Sequence, residues 1–282
     1  MKQHNCDICG SEEYIEVPHA KEYTNGQNVS ICKKCGFVYV RNRRTEQEIA
    51  DSWTNEIYGE GYTAMLPAIK ARQTFVAEFL ETSIGLKDKQ VLEIGAGEGQ
   101  FLGMVKNQYK GYVSGIEPSK QNADKIVKDL RISCYNGTIN TFYENRKSNH
   151  FDIITIMWTL ENCVSCVDML KIANNLLFKD GHICIATGSR ILVPFKKPLD
   201  YYFGKYPVDT HCFRFSANSL KNLLEVTGFE LVKINRYIDS DILCVIAKKR
   251  NGYKDPELTF DNYKGVAAFF ERWHEESQYY QK

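Results

Sequence analysis

The chain has no apolar run approaching the ~18 residues that a bilayer-spanning helix needs, which excludes a helical integral membrane protein. It also lacks an excess of charge, since 36 Lys and Arg stand against 35 Asp and Glu for a formal net charge of +1. A balance so close to neutral, with no Lys/Arg stripe, supplies no field to draw in a polyanion or an anionic lipid surface. Nucleic acid and membrane are therefore not expected partners. The opening residues, MKQHNCDICG, contain no apolar export segment and run straight into a cysteine pair. A cytoplasmic location is expected, and with it reduced thiols. There is no internal repeat and no low-complexity tract. What remains is a chain of 282 residues, enough for one substantial α/β domain and a small accessory module.

Cysteine is plentiful: there are ten. Four of them form two copies of one device, CDICG at Cys6–Cys9 and CKKCG at Cys32–Cys35. The C-x-x-C spacing places two thiolates on one ion, and the glycine after each pair relieves the turn so that backbone N–H groups can face sulfur. Two such knuckles 22 residues apart predict a tetrahedral four-cysteine zinc site with a long hairpin between them. Four sulfurs leave no open coordination position, so the zinc is expected to be structural. His4 and His19 are the residues that could displace a cysteine. Cys163 and Cys166 repeat the spacing without a glycine or a partner pair and read as a helix start. Cys184 and Cys244 lie in apolar runs and read as small core residues.

From Lys89 onward short β-rich runs alternate with helical stretches. The strand candidates are 90–95, 112–117, 131–135, 151–157, 182–188, 231–237 and 241–249. Between them, Ala123, Ile126, Val127 and Leu130 follow a capping Ser119 at helical spacing, and Met169, Ile172, Ala173 and Leu176 repeat it on a helix ending near Gly181. Leu220, Leu223 and Leu224 mark a third helix, opened near Ser216 and stopped at Gly228. Upstream, Phe75, Val76, Phe79 and Leu80 share a helical face after Pro67. This alternation predicts a doubly wound, mostly parallel seven-stranded α/β sheet. The last two strands are joined too tightly for a crossover helix, so they are expected as an antiparallel pair at one edge. Residues 189–215 hold three of the seven prolines and seven aromatics and read as a long loop over the strand ends. The expected organisation is a zinc-ribbon-like module at 1–45, a helical linker or cofactor lid at 46–85, the main domain at 86–250 and a tail at 251–282 ending in a helix near 263–277.

The first strand leads into VLEIGAGEG. Gly95, Gly97 and Gly99 let the backbone turn tightly and approach a ligand, with a helix N-terminus behind them. Some 20 residues later Glu117 ends the second strand, where a carboxylate accepts ribose hydroxyls. The dinucleotide fingerprint would place its third glycine at position 100, which is Gln100 here. Glu93, inside the strand, would oppose a pyrophosphate but would favour a cationic amino group. An adenosine carrying a cationic amino-acid end fits these residues, and S-adenosylmethionine is such a molecule.

VLEIGAGEG followed by GIEPS resembles the first two motifs of class I S-adenosylmethionine-dependent methyltransferases. FDIITIMWTLEN, DGHICIATG and THCFRFSANSLKNLLEVTGFEL are similar to the family's later stretches, so the resemblance spans about residues 65–250. The C-x-x-C-G pairs, FVYV and the aromatic IYGEGY at 57–62 resemble a narrower bacterial group. In that group a zinc-ribbon-like module precedes a methyltransferase that tailors surface glycans or deoxysugars. The resemblance implies a Rossmann-like fold in which Glu93 and the backbone of Gly95, Ala96, Gly97 and Gly99 hold the methionine end. Glu117 would bind the ribose, Gly137, Thr138 and Ile139 would flank the adenine, and Met157 and Trp158 would line the floor. Relatives often carry Leu-Glu-His where this chain has Leu160, Glu161 and Asn162, so a histidine role does not transfer. The larger sugar C-methyltransferases of the group also continue into a further domain beyond the equivalent of residue 282.

The expected activity is methyl transfer to a small carbohydrate-linked acceptor in polysaccharide biosynthesis, with oxygen favoured over carbon or nitrogen as the methylated atom. For a hydroxyl acceptor the enzyme must position it in line and take its proton. His211 is the first candidate base, or else a structural histidine that ties its loop to the sheet, and Glu161 is the second. Tyr201, Tyr202 and Tyr206 could shape the pocket. The rival readings are an RNA methyltransferase gripping RNA through the zinc module, and a cofactor-binding protein without catalysis. Against the first stand the neutral charge and the absence of a D/N-P-P-Y/F string.

Overall fold

A computed structural model describes residues 2–24, 27–52, 60–146, 150–195, 197–204, 211–252 and 254–281. Tyr206 and residues 57–59 of the aromatic segment 57–62 lie outside the described residues. Around the two C-x-x-C-G turns run β1 (Lys2–Gln3), β2 (Tyr14–Glu16), the one-turn helix α1 (Ala20–Tyr23), β3 (Val29–Cys32), β4 (Val38–Val40) and β5 (Asn42–Arg43). Two helices follow, α2 (Glu46–Ser52) and the long α3 (Glu60–Ile84), which carries Pro67 inside it.

The main sheet then unfolds as strand–helix repeats: β6 (Gln90–Ile94), α4 (Gln100–Gln108), β7 (Tyr112–Glu117), α5 (Lys120–Leu130), β8 (Ser133–Asn136), α6 (Ile139–Asn145), β9 (Phe151–Met157), α7 (Cys166–Leu176) and β10 (Leu177–Thr187). After these come α8 (Leu199–Phe203), β11 (Phe213–Arg214), α9 (Ala217–Val226), β12 (Phe229–Ile234), β13 (Leu243–Lys249) and α10 (Tyr263–Ser277). The sheet order is β12-β13-β10-β9-β6-β7-β8. β10, β9, β6, β7 and β8 run parallel, whereas β13 pairs antiparallel with both β10 and β12. The expected seven-stranded, mostly parallel sheet with an antiparallel edge is therefore present.

The sequence builds this sheet because its central strands are apolar on both sides. In β9, Ile154 and Ile156 face one layer with α7 and α9, while Ile153 and Met157 face the other with α3 and α4. Period-two alternation is lost in such strands because both faces are covered. Several helices begin at side-chain caps, although Ser119, expected to cap α5, makes no such bond. Ser216 accepts from the Ser219 N–H at 2.9 Å in a reciprocal capping box, and Ser165 accepts from the Asp168 N–H at 3.1 Å.

Three expectations are corrected. The helix expected to end near Gly181 stops at Leu176, because β10 begins at Leu177 and pairs with Phe151 before a register shift. On the helix before β8, Val127 is exposed although its spacing matches the buried Ala123 and Ile126. Residues 189–215 are not simply a loop. They contain α8, and β11 joins β4, so the N-terminal sheet reads β11-β4-β3-β2. A two-residue strand has no periodicity to detect; it forms because Phe213 buries its ring beside Phe37 and Tyr39. α10 returns to the same region and seals it: Phe269, Phe270 and Trp273 pack with Val29, Ile31, Val38, Val40 and Phe203.

Candidate active site

The C-terminal ends of the parallel strands open into a cavity of about 580 Å³. All the sequence-derived cofactor candidates except Gly99 line it: Glu93, Gly95, Ala96, Gly97, Glu117, Thr138 and Trp158. So do both base candidates, Glu161 and His211, and the pocket tyrosines Tyr201 and Tyr202.

The glycine loop is shaped by sterics. Gly95 has φ +75°, and a Cβ there would stand 2.2 Å from the Thr159 Oγ1. Gly99, at φ +78°, starts α4 with its Cα against Ile126 and Leu130, where a Cβ would come within 2.7 Å. These positions admit no side chain without displacement. The loop N–H groups are largely used internally. Gly95 and Ala96 donate to the Ile116 carbonyl at 2.9 and 3.0 Å, Gly99 donates to Ala96 at 2.9 Å, and Gly97 donates to Glu117 Oε2 at 2.8 Å. What the loop offers is a bare backbone surface.

Two buried acids stand beside the loop. Glu93 is 1 % exposed and its Oε2 has no hydrogen-bond partner. Burial, with the neighbouring Glu117 carboxylate adding to it, pushes its carboxyl well above the usual range. A buried carboxyl with an orphaned oxygen on a cavity wall fits the cationic amino group of an amino-acid end. Glu117 is clamped by two backbone donors, Gly97 N–H on Oε2 and Ser119 N–H at 2.9 Å on Oε1. Burial still raises it to about 7, against those two hydrogen bonds. Each oxygen keeps a second lone pair, so the carboxylate can accept from vicinal hydroxyls. Thr138 caps α6 in a reciprocal box with Thr141. The residues present fit S-adenosylmethionine.

Beyond the cofactor half, Trp158 adopts φ +53°, a left-handed conformation costly for an aromatic residue. Its N–H donates to the Ala186 carbonyl at 2.8 Å, and the Asn162 side chain donates to its carbonyl at 3.0 Å. Asn162, standing where relatives often carry histidine, thus braces the turn. Glu161 follows on a 3-10 turn, 1 % exposed. Its Oε1 accepts from Thr187 Oγ1 at 2.7 Å, while Oε2 has no partner. Burial raises this carboxyl to about 7, opposed by backbone N–H groups of Glu161 and Gly188 and by the Thr187 hydroxyl.

That turn is gripped by the cysteine module. The Cys212 N–H donates to the Glu161 carbonyl at 2.7 Å, and the Cys212 carbonyl accepts from the Val40 N–H at 2.8 Å. Arg43, fully buried, pairs through both terminal nitrogens with Asp7, which lies between Cys6 and Cys9. It also donates to the Val164 carbonyl at 2.6 Å and the Val40 carbonyl at 2.7 Å. None of Asp7, Arg43, Thr187 or Arg190 was singled out by sequence pattern. A lone charged residue beside a metal knuckle, or directly after a core strand, was the available signal.

The Cys6, Cys9, Cys32 and Cys35 sulfurs lie within 4.8 Å of one another, with Cys6–Cys35 at 3.4 Å and Cys9–Cys32 at 3.5 Å. A tetrahedral zinc with ~2.3 Å bonds needs sulfurs ~3.8 Å apart, so the cluster fits the ion. His19 is elsewhere, stacked on His274 at 3.6 Å and bonded to Glu22 and Glu271. Neither His19 nor His4 belongs to the sulfur cluster.

The family model described as a methyltransferase domain matches residues 68–234, more than half of the chain. Among curated proteins, the chain is similar to a ubiquinone biosynthesis O-methyltransferase of Coxiella burnetii, 24 % identical over 57 % of this chain and 76 % of that protein. Among solved structures, it resembles the S-adenosylhomocysteine-bound magnesium protoporphyrin IX methyltransferase of Synechocystis at TM-score 0.56 and 10 % identity, over 73 % of this chain and all of that one. It also resembles a chain of the complex between the Haloferax volcanii Trm112 methyltransferase activator and a methyltransferase, at TM-score 0.55 and 12 % identity, over 74 % of this chain and all of that one. Among the described residues no helix is long and apolar enough to cross a membrane. With the matched model spanning the glycine loop, the buried acids and the strand ends that carry them, the chain belongs to the methyltransferase-domain family and is an S-adenosylmethionine-dependent methyltransferase.

Proposed function

We propose that the chain methylates an oxygen of a small acceptor, a sugar nucleotide or related surface-glycan precursor, with Glu161 as the proton acceptor. The observation that carries this reading is the unpartnered Oε2 of a fully buried Glu161 on the wall of the cofactor cavity. When bound, the cofactor supplies a methyl group already activated on a sulfonium. Glu93 would hold its amino group and Glu117 its ribose, fixing the methyl toward the β9 end of the cavity. Glu161 would accept the acceptor hydroxyl's proton on Oε2 as the new C–O bond forms and the C–S bond breaks. Thr187 holds the other oxygen and orients the group. His211 lines the same wall, next to the Cys212 N–H that anchors the Glu161 backbone. The aromatic rim of Tyr201, Tyr202 and Trp273 suits stacking on a ring. The module at 1–45 is read as a structural zinc cap that holds this wall.

The test is methyl transfer from radiolabelled S-adenosylmethionine to a panel of nucleotide sugars, with total RNA alongside. Glu161→Gln is expected to lower kcat at least a hundredfold with cofactor affinity within threefold of the parent, and Glu93→Gln to weaken cofactor binding at least tenfold. Label entering RNA but no sugar nucleotide, or full turnover by Glu161→Gln, would sink the assignment.

A further inference from the structure

Sheet order divides the cavity wall. On one side β8, β7 and β6 present Thr138, Glu117 and the Glu93–Gly97 loop, the residues that fit the cofactor. On the other, β9 leads into Trp158 and Glu161, β10 leads into Arg190, and Asp241 precedes β13. Arg190 is 7 % exposed, so its guanidinium has lost most of its water. Its Nη1 donates to the Tyr237 carbonyl at 2.5 Å, a neutral acceptor. Asp241 is the carboxylate that acts on it through space. A guanidinium carries five donors in a rigid fork matched to phosphate or carboxylate. One carbonyl engages a single arm of that fork. Lys197 adds a second cation to the same wall, its Nζ 4.9 Å above the Tyr201 ring.

We propose that Arg190 is the anchor for an anionic group of the acceptor, a phosphate or a carboxylate. The inference rests on reading the β9–β10–β13 side as the acceptor side. Neighbouring strands lie ~4.8 Å apart, and Arg190 follows the strand next to the one that leads into Glu161. The anion is therefore carried on the order of 5–10 Å from the hydroxyl that loses its proton. An anionic group on the acceptor would give the buried guanidinium a partner for the arms of its fork that the Tyr237 carbonyl does not engage. The substrate class narrows accordingly to acceptors with a fixed negative charge close to the methylated atom.

Calorimetric titration of the full chain, saturated with S-adenosylhomocysteine so that the cofactor half is filled, tests this with two probes. Inorganic pyrophosphate represents the phosphate source and malonate the carboxylate source; the tighter of the two names the group. Arg190→Met is expected to weaken that probe at least tenfold, and Arg190→Lys to fall between, with S-adenosylhomocysteine affinity within twofold throughout. Asp241→Asn, which removes the competing negative charge, is expected to tighten the probe at least threefold. Neither probe binding the parent protein at millimolar concentration, or binding unaffected by Arg190→Met, overturns the assignment. If Arg190→Met cannot bind S-adenosylhomocysteine and so has lost its fold, unchanged binding by Asp241→Asn overturns it. Failure of the parent to bind S-adenosylhomocysteine would instead strike at the cofactor reading, and the two failures are thereby separable.

Discussion

Three buried glutamates face one cavity, and burial holds all three carboxyls above their usual range. For Glu161, raised to about 7 by burial, the fold prefers the protonated form. Its contribution to stability is complete below the ordinary carboxylate range and is lost as pH rises through about 7. A shift of that size corresponds to on the order of 3 kcal/mol at alkaline pH. Glu161→Gln keeps an oxygen for Thr187 but removes the charge. It is expected to melt several degrees above the parent at pH 8.5 and to match it at pH 5; an equal gap at both pH values would show that burial of the charge is not the cause. Catalysis has the opposite requirement, because a proton acceptor must be ionised. The parent's kcat should rise through pH about 7 at saturating cofactor, and Glu161→Gln should lose that limb along with its activity. Glu93 and Glu117 were marked in the sequence because a ligand's charge pattern could be matched to them, and both line the cavity. The orphaned oxygen on Glu161 was not, since it depends on how the 3-10 turn packs beneath Thr187 and Cys212.

At the scale of elements, the strands of the main sheet were readable from apolar runs, and their mostly parallel sense from strand–helix alternation, while the strand order came from the structure. The joins between elements were not. Arg43 ties β5 to the first cysteine turn through Asp7 and to the start of α7 through the Val164 carbonyl. No periodicity marks a contact spanning so much of the chain. Leaving one member of a buried ion pair alone typically costs about 3–5 kcal/mol. Arg43→Met should therefore lower stability by about that amount in urea unfolding, and adding Asp7→Asn should cost little more. Additive losses in that double-mutant cycle would mean the pair is not coupled. Gly95→Ala offers a second check on local geometry. Its Cβ would meet the Thr159 Oγ1 at 2.2 Å, so the turn after β9 must move, and cofactor affinity should fall at least tenfold while the far edge of the sheet is unaffected.

For the whole molecule, the two ends of the described chain pack against each other. α10 packs its aromatic face on the cysteine module's sheet, and the Asp261 N–H donates to the Cys35 carbonyl at 3.2 Å. Composition and motif could separate a cysteine module from a catalytic sheet, but not show that β11 and α10 pack against that module. Removing the zinc proposed for this cluster should accordingly be felt far from the sulfurs. Stripping zinc under reducing conditions is expected to accelerate amide exchange at 1–43 and also at 160–165 and 211–216, while β6 and β7 keep their protection. Exchange confined to the first 45 residues would show the module to be an independent appendage.

The pairing of β11 with β4 has a consequence for how the protein is made. Translation delivers the cysteine turns early, and β4 then waits with one edge open until Phe213 emerges, most of the chain later. During that interval the half-built sheet offers its edge to any neighbouring nascent chain. A graft of residues 1–45 onto another protein would carry the same open edge permanently. Such a graft should self-associate through β4, whereas adding the 211–216 strand to it in trans should restore a monomer.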